Sequence, residues 1–229
     1  MNNRSNPSKK GFRAFGLALV ASLALTGLLA SSASALSMNP VPAMGPGAGA
    51  TYYFQASGGA TYSCEKNRFS WESTSPTGGN IPEYRLEGCK IVVLGFPVKC
   101  TSAGQSIAGT VVLSKLNYTL VYLDAAKTKF GLKLTPTSGN FAEFTCGNGS
   151  SYTWTGSVLG QITYPPLNTY TTQFNFEFTA TGSSQTYQQV EGAGTAYHLW
   201  QSQNGGSPVP LGINAQYGVG TGHALQFQP

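Results

Sequence analysis

Few residues of this chain have the types and spacing that catalysis requires. Asp124 is the only aspartate, and the two histidines, His198 and His223, lie in the C-terminal region. A Ser-His-Asp relay needs a histidine base that is oriented by a carboxylate, and the G-x-S-x-G turn that presents a nucleophilic serine does not occur in the sequence. The sequence therefore gives no basis for predicting a serine hydrolase.

The glutamates offer a second kind of chemistry. Glycoside hydrolysis usually needs two carboxyl groups about 5–10 Å apart across a sugar site. No spacing rule selects such a pair, so we interpret the seven glutamates as surface charges and predict no catalytic residue. They are Glu65, Glu72, Glu83, Glu87, Glu143, Glu177 and Glu191.

One aromatic segment has the composition of a ligand platform. Tyr197, His198 and Trp200 lie together in the sequence A-Y-H-L-W, and aromatic rings combine flat apolar faces with polar edges. We treat these three residues as speculative ligand-facing positions. The favoured interpretation is a strand that alternates between core and surface. Trp71 and Trp154 are likewise predicted to be core residues.

The cysteines predict structural crosslinks. Cys64, Cys89, Cys100 and Cys146 form an even set, and in an exported chain an even set favours two disulfides with three possible pairings. We favour Cys64–Cys89 and Cys100–Cys146, because the second bond would join the strands on either side of a central hairpin. No C-x-x-C spacing suggests a metal site, and no G-x-G motif opens a helix after a strand. We therefore predict no metal and no cofactor.

The N-terminal segment has the three parts of a secretory signal peptide. Four basic residues precede an apolar run and an A-x-A site at residues 33–35, which predicts cleavage between Ala35 and Leu36. The alternative is an uncleaved membrane anchor. Removal of residues 1–35 leaves nine basic against eight acidic residues, so the formal charge falls from +5 to +1. We therefore expect a secreted, extracellular protein that binds no nucleic acid and makes no stable membrane insertion after cleavage.

The rest of the chain predicts a sheet protein. Residues 36–50 are rich in Pro, Gly and Ala and predict a flexible linker, followed by a single all-β domain over residues 51–229. Residues 110–123 and 129–135 predict a hairpin with a polar break between them. Residues 171–179 predict a strand with three phenylalanines on one face.

Two further segments carry specific expectations. Residues 73–82 contain strong turn signals and predict a loop. Residues 84–94 predict a strand whose K-I-V-V-L end is buried on both faces. About a dozen strands separated by regular turn signals predict an antiparallel β-sandwich stapled by disulfides, with a closed or partly closed β-barrel as the alternative.

Several segments form a recognisable set. They include L-G-F-P-V-K-C-T-S-A-G at residues 94–104, T-L-V-Y-L-D-A-A-K-T-K at 119–129 and L-N-T-Y-T-T-Q-F-N-F at 167–176. In order and spacing they resemble uncharacterised secreted proteins of soil actinobacteria. This resemblance covers residues 60–195, and it implies export from a high-GC Gram-positive cell without implying any catalytic residue.

Three hypotheses of function follow. The first is a non-catalytic extracellular or cell-wall-associated binding or structural domain, with cell-wall or environmental polysaccharide as a partner. The second is a carrier of a lipid or small apolar ligand in a β-barrel, which requires an apolar cavity in place of a filled core. The third is a polysaccharide-active enzyme, which requires two glutamates that converge in a cleft.

Overall fold

The computed structural model describes residues 35–229, which contain 19 strands and no helix. The predicted signal peptide lies outside the described residues, except for Ala35. The strands are β1 Ser37–Asn39, β2 Met44–Gly49, β3 Tyr52–Ala56, β4 Thr61–Cys64, β5 Lys66–Ser75, β6 Gly78–Glu87, β7 Lys90–Val93, β8 Phe96–Thr101, β9 Val111–Leu113, β10 Leu116–Tyr122, β11 Phe130–Pro136, β12 Ala142–Cys146, β13 Ser151–Gly156, β14 Val158–Tyr164, β15 Thr171–Phe178, β16 Ala180–Thr181, β17 Ser184–Gln185, β18 Leu199–Gln203 and β19 Val209–Gln228.

Seventeen of these strands form one large antiparallel sheet, while β16 and β17 pair separately. The predicted all-β, antiparallel and disulfide-stapled fold is thus confirmed, and the sheet is not a regular barrel. Its pairings close into two circuits that share β19. The first runs through β2, β5, β6, β10, β11, β14 and β15. The second runs through β3, β4, β7, β8, β12, β13 and β18.

Alternating apolar side chains fill the interior of both circuits. In the first, the rings of Phe176 and Tyr217 stack with centroids 4.2 Å apart. In the second, the rings of Phe54 and Trp154 lie 4.6 Å apart. Trp71 and Trp154 are both buried, as predicted. Phe176 and Tyr217 are opposite each other on the neighbouring strands β15 and β19, whereas Phe54 and Trp154 lie on β3 and β13, which are not neighbours, so that their contact packs the core across the second circuit.

Buried tyrosines add polar groups to this core. The Tyr84 hydroxyl donates a hydrogen bond to the Tyr217 hydroxyl at 2.5 Å, and Tyr52 lies edge-on to the Tyr217 ring. Burial raises the pKa of all three hydroxyls above the ordinary tyrosine value, because the charged phenolate loses its hydration. The three groups are therefore held in the neutral form.

The predicted flexible linker over residues 36–50 is wrong. Residues 37–39 pair with the end of β19, and residues 44–49 lie between β5 and β19 in the sheet. Leu36, Met38 and Ala43 are buried in the core. The abundance of Gly and Pro in this segment reflects close strand packing, since a Cβ on Gly47 would overlap the Phe69 ring.

The predicted loop over residues 73–82 is also wrong. Strand β5 continues to Ser75, and β6 begins at Gly78, so that only Pro76 and Thr77 form the turn. Gly79 lies so close to the backbone of Glu72 that a side chain at this position would overlap it. The glycines that signalled a loop therefore permit a tight hairpin in the sheet.

Two predicted strand elements are confirmed. Strands β10 and β11 form the central hairpin, with Leu120 opposite Leu132. In β15, Phe174, Phe176 and Phe178 are all buried on one face. Residues 35–229 contain no helix long and apolar enough to cross a membrane.

Candidate binding surface

The hairpin of β7 and β8 ends in exposed apolar side chains. Leu94 is 94% exposed, Phe96 is 74% exposed and Val92 is 61% exposed. We call these three residues the apolar tip. Exposed apolar side chains gathered in one place mark interaction sites, whereas single ones are ordinary. The tip is therefore the candidate binding surface of the described domain.

Leu94 and Phe96 are exposed because the hairpin extends past its neighbours, and Val92 is exposed because it lies on the same outer face as Lys90. The paired residues that join β7 to β4 are Lys90 and Ile91. The prediction that the K-I-V-V-L segment is buried on both faces is therefore wrong: Ile91 is buried, but Val92 and Leu94 are not. The single predicted strand over residues 84–94 is also divided, because Gly88 adopts a positive φ of 67° between β6 and β7.

The turn at the tip holds a leucine in an unfavourable conformation. Leu94 has a φ of 49° and Gly95 a φ of 86°, so both central residues of this two-residue turn lie in the left-handed region. Such turns normally carry Asn-Gly or Gly-Gly, because a Cβ in this region approaches the following carbonyl oxygen. Another residue type, such as Asn, would therefore strain the backbone at this position less than leucine does.

Both disulfides hold the base of this hairpin. Cys89 directly precedes β7 and is bonded to Cys64, while Cys100 in β8 is bonded to Cys146. The Cys100 amide also donates to the Cys89 carbonyl oxygen at 3.0 Å. The predicted pairing is thus confirmed, and it indicates an oxidising compartment. The crosslinks fix the hairpin to both β4 and β12.

A row of polar side chains crosses the outer face of the sheet behind the tip. Tyr53 pairs with Ser63, Ser63 with Lys90, and Lys90 with Lys99. We call these four residues the belt. Tyr53 and Lys99 are exposed, and the Lys90 ammonium lies 3.3 Å from a carboxylate oxygen of Glu65. Among residues 35–229, no salt bridge includes Lys99.

Three other turns lie at the same end of the second circuit as the tip. They connect β3 to β4, β12 to β13, and β18 to β19, over residues 57–60, 147–150 and 204–208. Their sequences are S-G-G-A, G-N-G-S and N-G-G-S-P, without any charged residue. The tip therefore projects from a surface of small, neutral residues.

The speculative ligand-facing residues lie elsewhere. Tyr197 and His198 precede β18 and Trp200 lies within it, and all three are half-buried around the buried Leu199. The Lys133 ammonium lies 4.9 Å from the centre of the Tyr197 ring, and the His198 ring packs 5.6 Å from Trp200. The favoured alternation is present only from Leu199 onward, with Leu199 and Gln201 buried and Trp200 half-buried, because Tyr197 and His198 lie before the strand.

Three of the seven glutamates come together in an open groove of about 590 Å³ on β2, β5 and β6. Glu83 contacts Arg85 at 3.1 Å, and Glu87 contacts Lys66 at 3.3 Å, while Glu72 completes the set. Pairs of exposed, oppositely charged side chains are ordinary features of sheet surfaces. The groove therefore contains carboxylates, but no contact identifies one of them as a general acid and another as a base or nucleophile.

Asp124 and the histidines do not form a relay. The carboxylate of Asp124 accepts hydrogen bonds from the backbone amides of Thr128 and Lys129 at 2.8 and 3.0 Å. The Thr128 hydroxyl donates to the same carboxylate and lowers the pKa of Asp124. Asp124 thus closes the β10–β11 turn, and His223 is exposed on β19. Residues 35–229 contain no cluster of side chains suited to a metal ion.

The core between the two circuits is nearly filled. The space between Phe54, Leu86, Leu134 and Tyr217 measures about 10 Å³, which is room for at most one water molecule. Pockets for small ligands usually exceed about 300 Å³. This part of the core therefore offers no room for the ligand of a carrier.

Sequence reasoning missed the apolar tip. The one signal for it was Leu94-Gly95 between two short apolar runs, since a residue followed by glycine is the pattern of a two-residue hairpin turn. An apolar run has the same composition whether it is buried or exposed, and only the lengths of the neighbouring strands decide between the two.

Comparison with known proteins adds no homologue. No protein-family model, curated protein or solved structure matches the chain. Its function is therefore inferred from the residues of the described domain.

Proposed function

We propose that this chain is a non-catalytic, extracellular binding module that attaches to a cell envelope through its apolar tip. The observation that carries the proposal is the exposure of Leu94, Phe96 and Val92 on a hairpin that both disulfides hold at its base. Exposed apolar groups of this kind gain free energy when a partner removes them from water.

The disulfides support a binding role because they reduce the entropy that binding would cost. A flexible hairpin must be ordered when it binds, and that ordering weakens the complex. Cys89 and Cys100 fix the two ends of the hairpin, and its strands pair from Lys90 opposite Lys99 to Val93 opposite Phe96. The base of the hairpin is thus fixed before the tip meets its partner.

The cell envelope is the proposed location because the chain has features of an exported protein as well as an exposed apolar tip for attachment. The predicted signal peptide directs the chain out of the cell, and the disulfides indicate an oxidising compartment. The resemblance to secreted actinobacterial proteins supports an actinobacterial envelope as the first one to test.

The two other hypotheses receive less support from the geometry. A carrier would need an internal cavity, and the described core space is about 10 Å³. A polysaccharide-active enzyme would need one carboxyl group able to donate a proton, whereas Glu83 and Glu87 in the groove contact Arg85 and Lys66. The groove is the place where substitution of Glu72 and Glu83 by Gln would test for hydrolysis.

The experiment is sedimentation of the mature chain with fragments of an actinobacterial cell envelope. The proteins compared are the wild type, a double variant with Leu94→Asn and Phe96→Ser, and the matched control Ile107→Ser. Ile107 is also exposed, but it lies in the loop after β8, at the opposite end of the hairpin from the tip. We expect the wild type and the control to sediment and the double variant to remain in solution.

Folding of each variant is checked first by the mass of the protein with both disulfides intact and by circular dichroism. Equal sedimentation of the folded double variant and the wild type would show that the tip is not the contact surface. If envelope polysaccharide fragments are released during incubation, the chain is not a non-catalytic module.

A further inference from the structure

We infer that the partner of the apolar tip is the surface of an anionic lipid bilayer. This inference rests on the proposed binding function and names its target. The tip would enter the boundary between headgroups and acyl chains, while the belt would remain at the level of the headgroups. Three observations lead to this arrangement: the length of the projection, the residues of the belt, and the distribution of charge around it.

The distance by which the tip projects beyond the belt matches the depth to which interfacial segments enter a bilayer. Three residue steps separate the Val93–Phe96 pair from the Lys90–Lys99 pair, which corresponds to about 10 Å along the strands. Interfacial segments bury their apolar face about 5–10 Å into the headgroup and acyl boundary. The apolar tip therefore reaches the acyl region when the belt lies among the headgroups.

The belt contains the residue types that prefer this level. Tyr53, Lys90 and Lys99 occupy one row across adjacent strands, because their backbones are paired through Ser63. Tyrosine is enriched where an apolar region meets water, and lysine can place its ammonium among lipid phosphates while its stem lies along apolar surface. The row is thus parallel to the bilayer surface when the tip points into the bilayer.

The charge around the tip favours anionic lipid. Residues 90–99 contain two lysines and no acidic residue, and the three neighbouring turns are uncharged. Lys90 forms a salt bridge with Glu65. Lys99 is therefore the one lysine of residues 90–99 that takes part in no salt bridge with the described residues. The small Gly, Ser and Asn residues of the turns can approach headgroups without repulsion.

A bilayer suits this surface better than a protein pocket does. The tip is a convex projection of aliphatic and aromatic side chains, and the turns beside it offer few large side chains for specific contacts with a protein. A hairpin that enters one interface does not span the membrane, so the inference agrees with the expectation that the chain makes no stable membrane insertion. The binding would be peripheral and reversible.

The test is sedimentation with vesicles of phosphatidylglycerol and phosphatidylcholine, and with vesicles of phosphatidylcholine alone. We expect the wild type to bind the mixed vesicles and Leu94→Asn or Phe96→Ser to lower the partition coefficient about tenfold each, because each removes one large apolar side chain from the bilayer. Lys99→Gln should lower it about fivefold on the mixed vesicles only, since one cation near an anionic surface is lost. Ile107→Ser should bind as the wild type does.

The outcomes separate this inference from the proposed function. If the wild type binds envelope fragments through the tip but does not bind either kind of vesicle, the binding module stands and lipid is not its partner. If the wild type forms a dimer that Leu94→Asn dissociates, and no vesicle is bound, the tip contacts a second copy and the lipid inference is overturned. Equal vesicle binding by Leu94→Asn and the wild type would also overturn it.

Discussion

Replacement of Leu94 by Asn should stabilise the folded domain while it weakens binding. The φ of 49° at this position places the side chain in the left-handed region, where a residue other than glycine costs about 1–2 kcal/mol. Asn tolerates this region, and Asn-Gly is a preferred pair for the turn. Because Leu94 is almost fully exposed, its removal loses little packing. We expect a gain of about 0.5–1 kcal/mol in the free energy of unfolding.

Thermal unfolding followed by circular dichroism measures this gain. For a domain of this size, 1 kcal/mol shifts the melting temperature by about 2–4 °C, so Leu94→Asn should raise it by about 1–4 °C. Gly95→Ala is the matched control of opposite sign: Gly95 has a φ of 86° and open space around its Cβ position, so the substitution should destabilise through backbone strain alone. A lower melting temperature for Leu94→Asn would refute the assignment of strain at the tip.

Three other outcomes can be measured on the same protein. Replacement of both Cys100 and Cys146 by Ser should lower the free energy of unfolding by about 2–4 kcal/mol in guanidinium titrations, and an unchanged midpoint would contradict the role of this crosslink. Gly131→Ala should lower the free energy of unfolding by about 1–3 kcal/mol or more, because the added Cβ would overlap the carbonyl oxygen of Gly160 on the paired strand. An unchanged melting temperature would contradict this close contact. Burial raises the pKa of the Tyr84 hydroxyl above its value in the unfolded chain. The contribution of Tyr84 to stability is therefore complete below about pH 10 and decreases as the pH rises above that value. Absorbance at alkaline pH should show that Tyr84 ionises together with unfolding, and its ionisation in the folded protein would contradict its burial.

Local sequence patterns predicted much of the fold. The alternation of three phenylalanines in β15 and the polar break between β10 and β11 are properties of a few consecutive residues, and both predictions are confirmed. The disulfide pairing also followed from the positions of the predicted strands. These features depend on period and spacing, which a single sequence displays.

The errors arose where glycine and proline serve close packing. Residues 36–50 and 73–82 contain the composition of loops, yet they form strands because their small residues allow other chains to approach. The candidate site could not be predicted for a related reason. Val92 is exposed because it lies on the same outer face as Lys90, and Leu94 is exposed because it lies beyond the residues paired with β4; both depend on pairing between strands distant in the sequence.

The length of β19 has a consequence for the order in which the domain can fold. This single 20-residue strand pairs with β1, β2 and β3 at the N-terminal end of the described chain as well as with β15 and β18. The hydroxyl of Ser37 donates to the carbonyl oxygen of Gln228 across 191 residues. Contacts between residues so distant in the sequence form slowly. Neither circuit can close until residues 209–228 pair with β2 and β3. Folding should therefore be a late, cooperative event, and a ribosome-bound or translocating chain that lacks β19 would hold neither of its two cores.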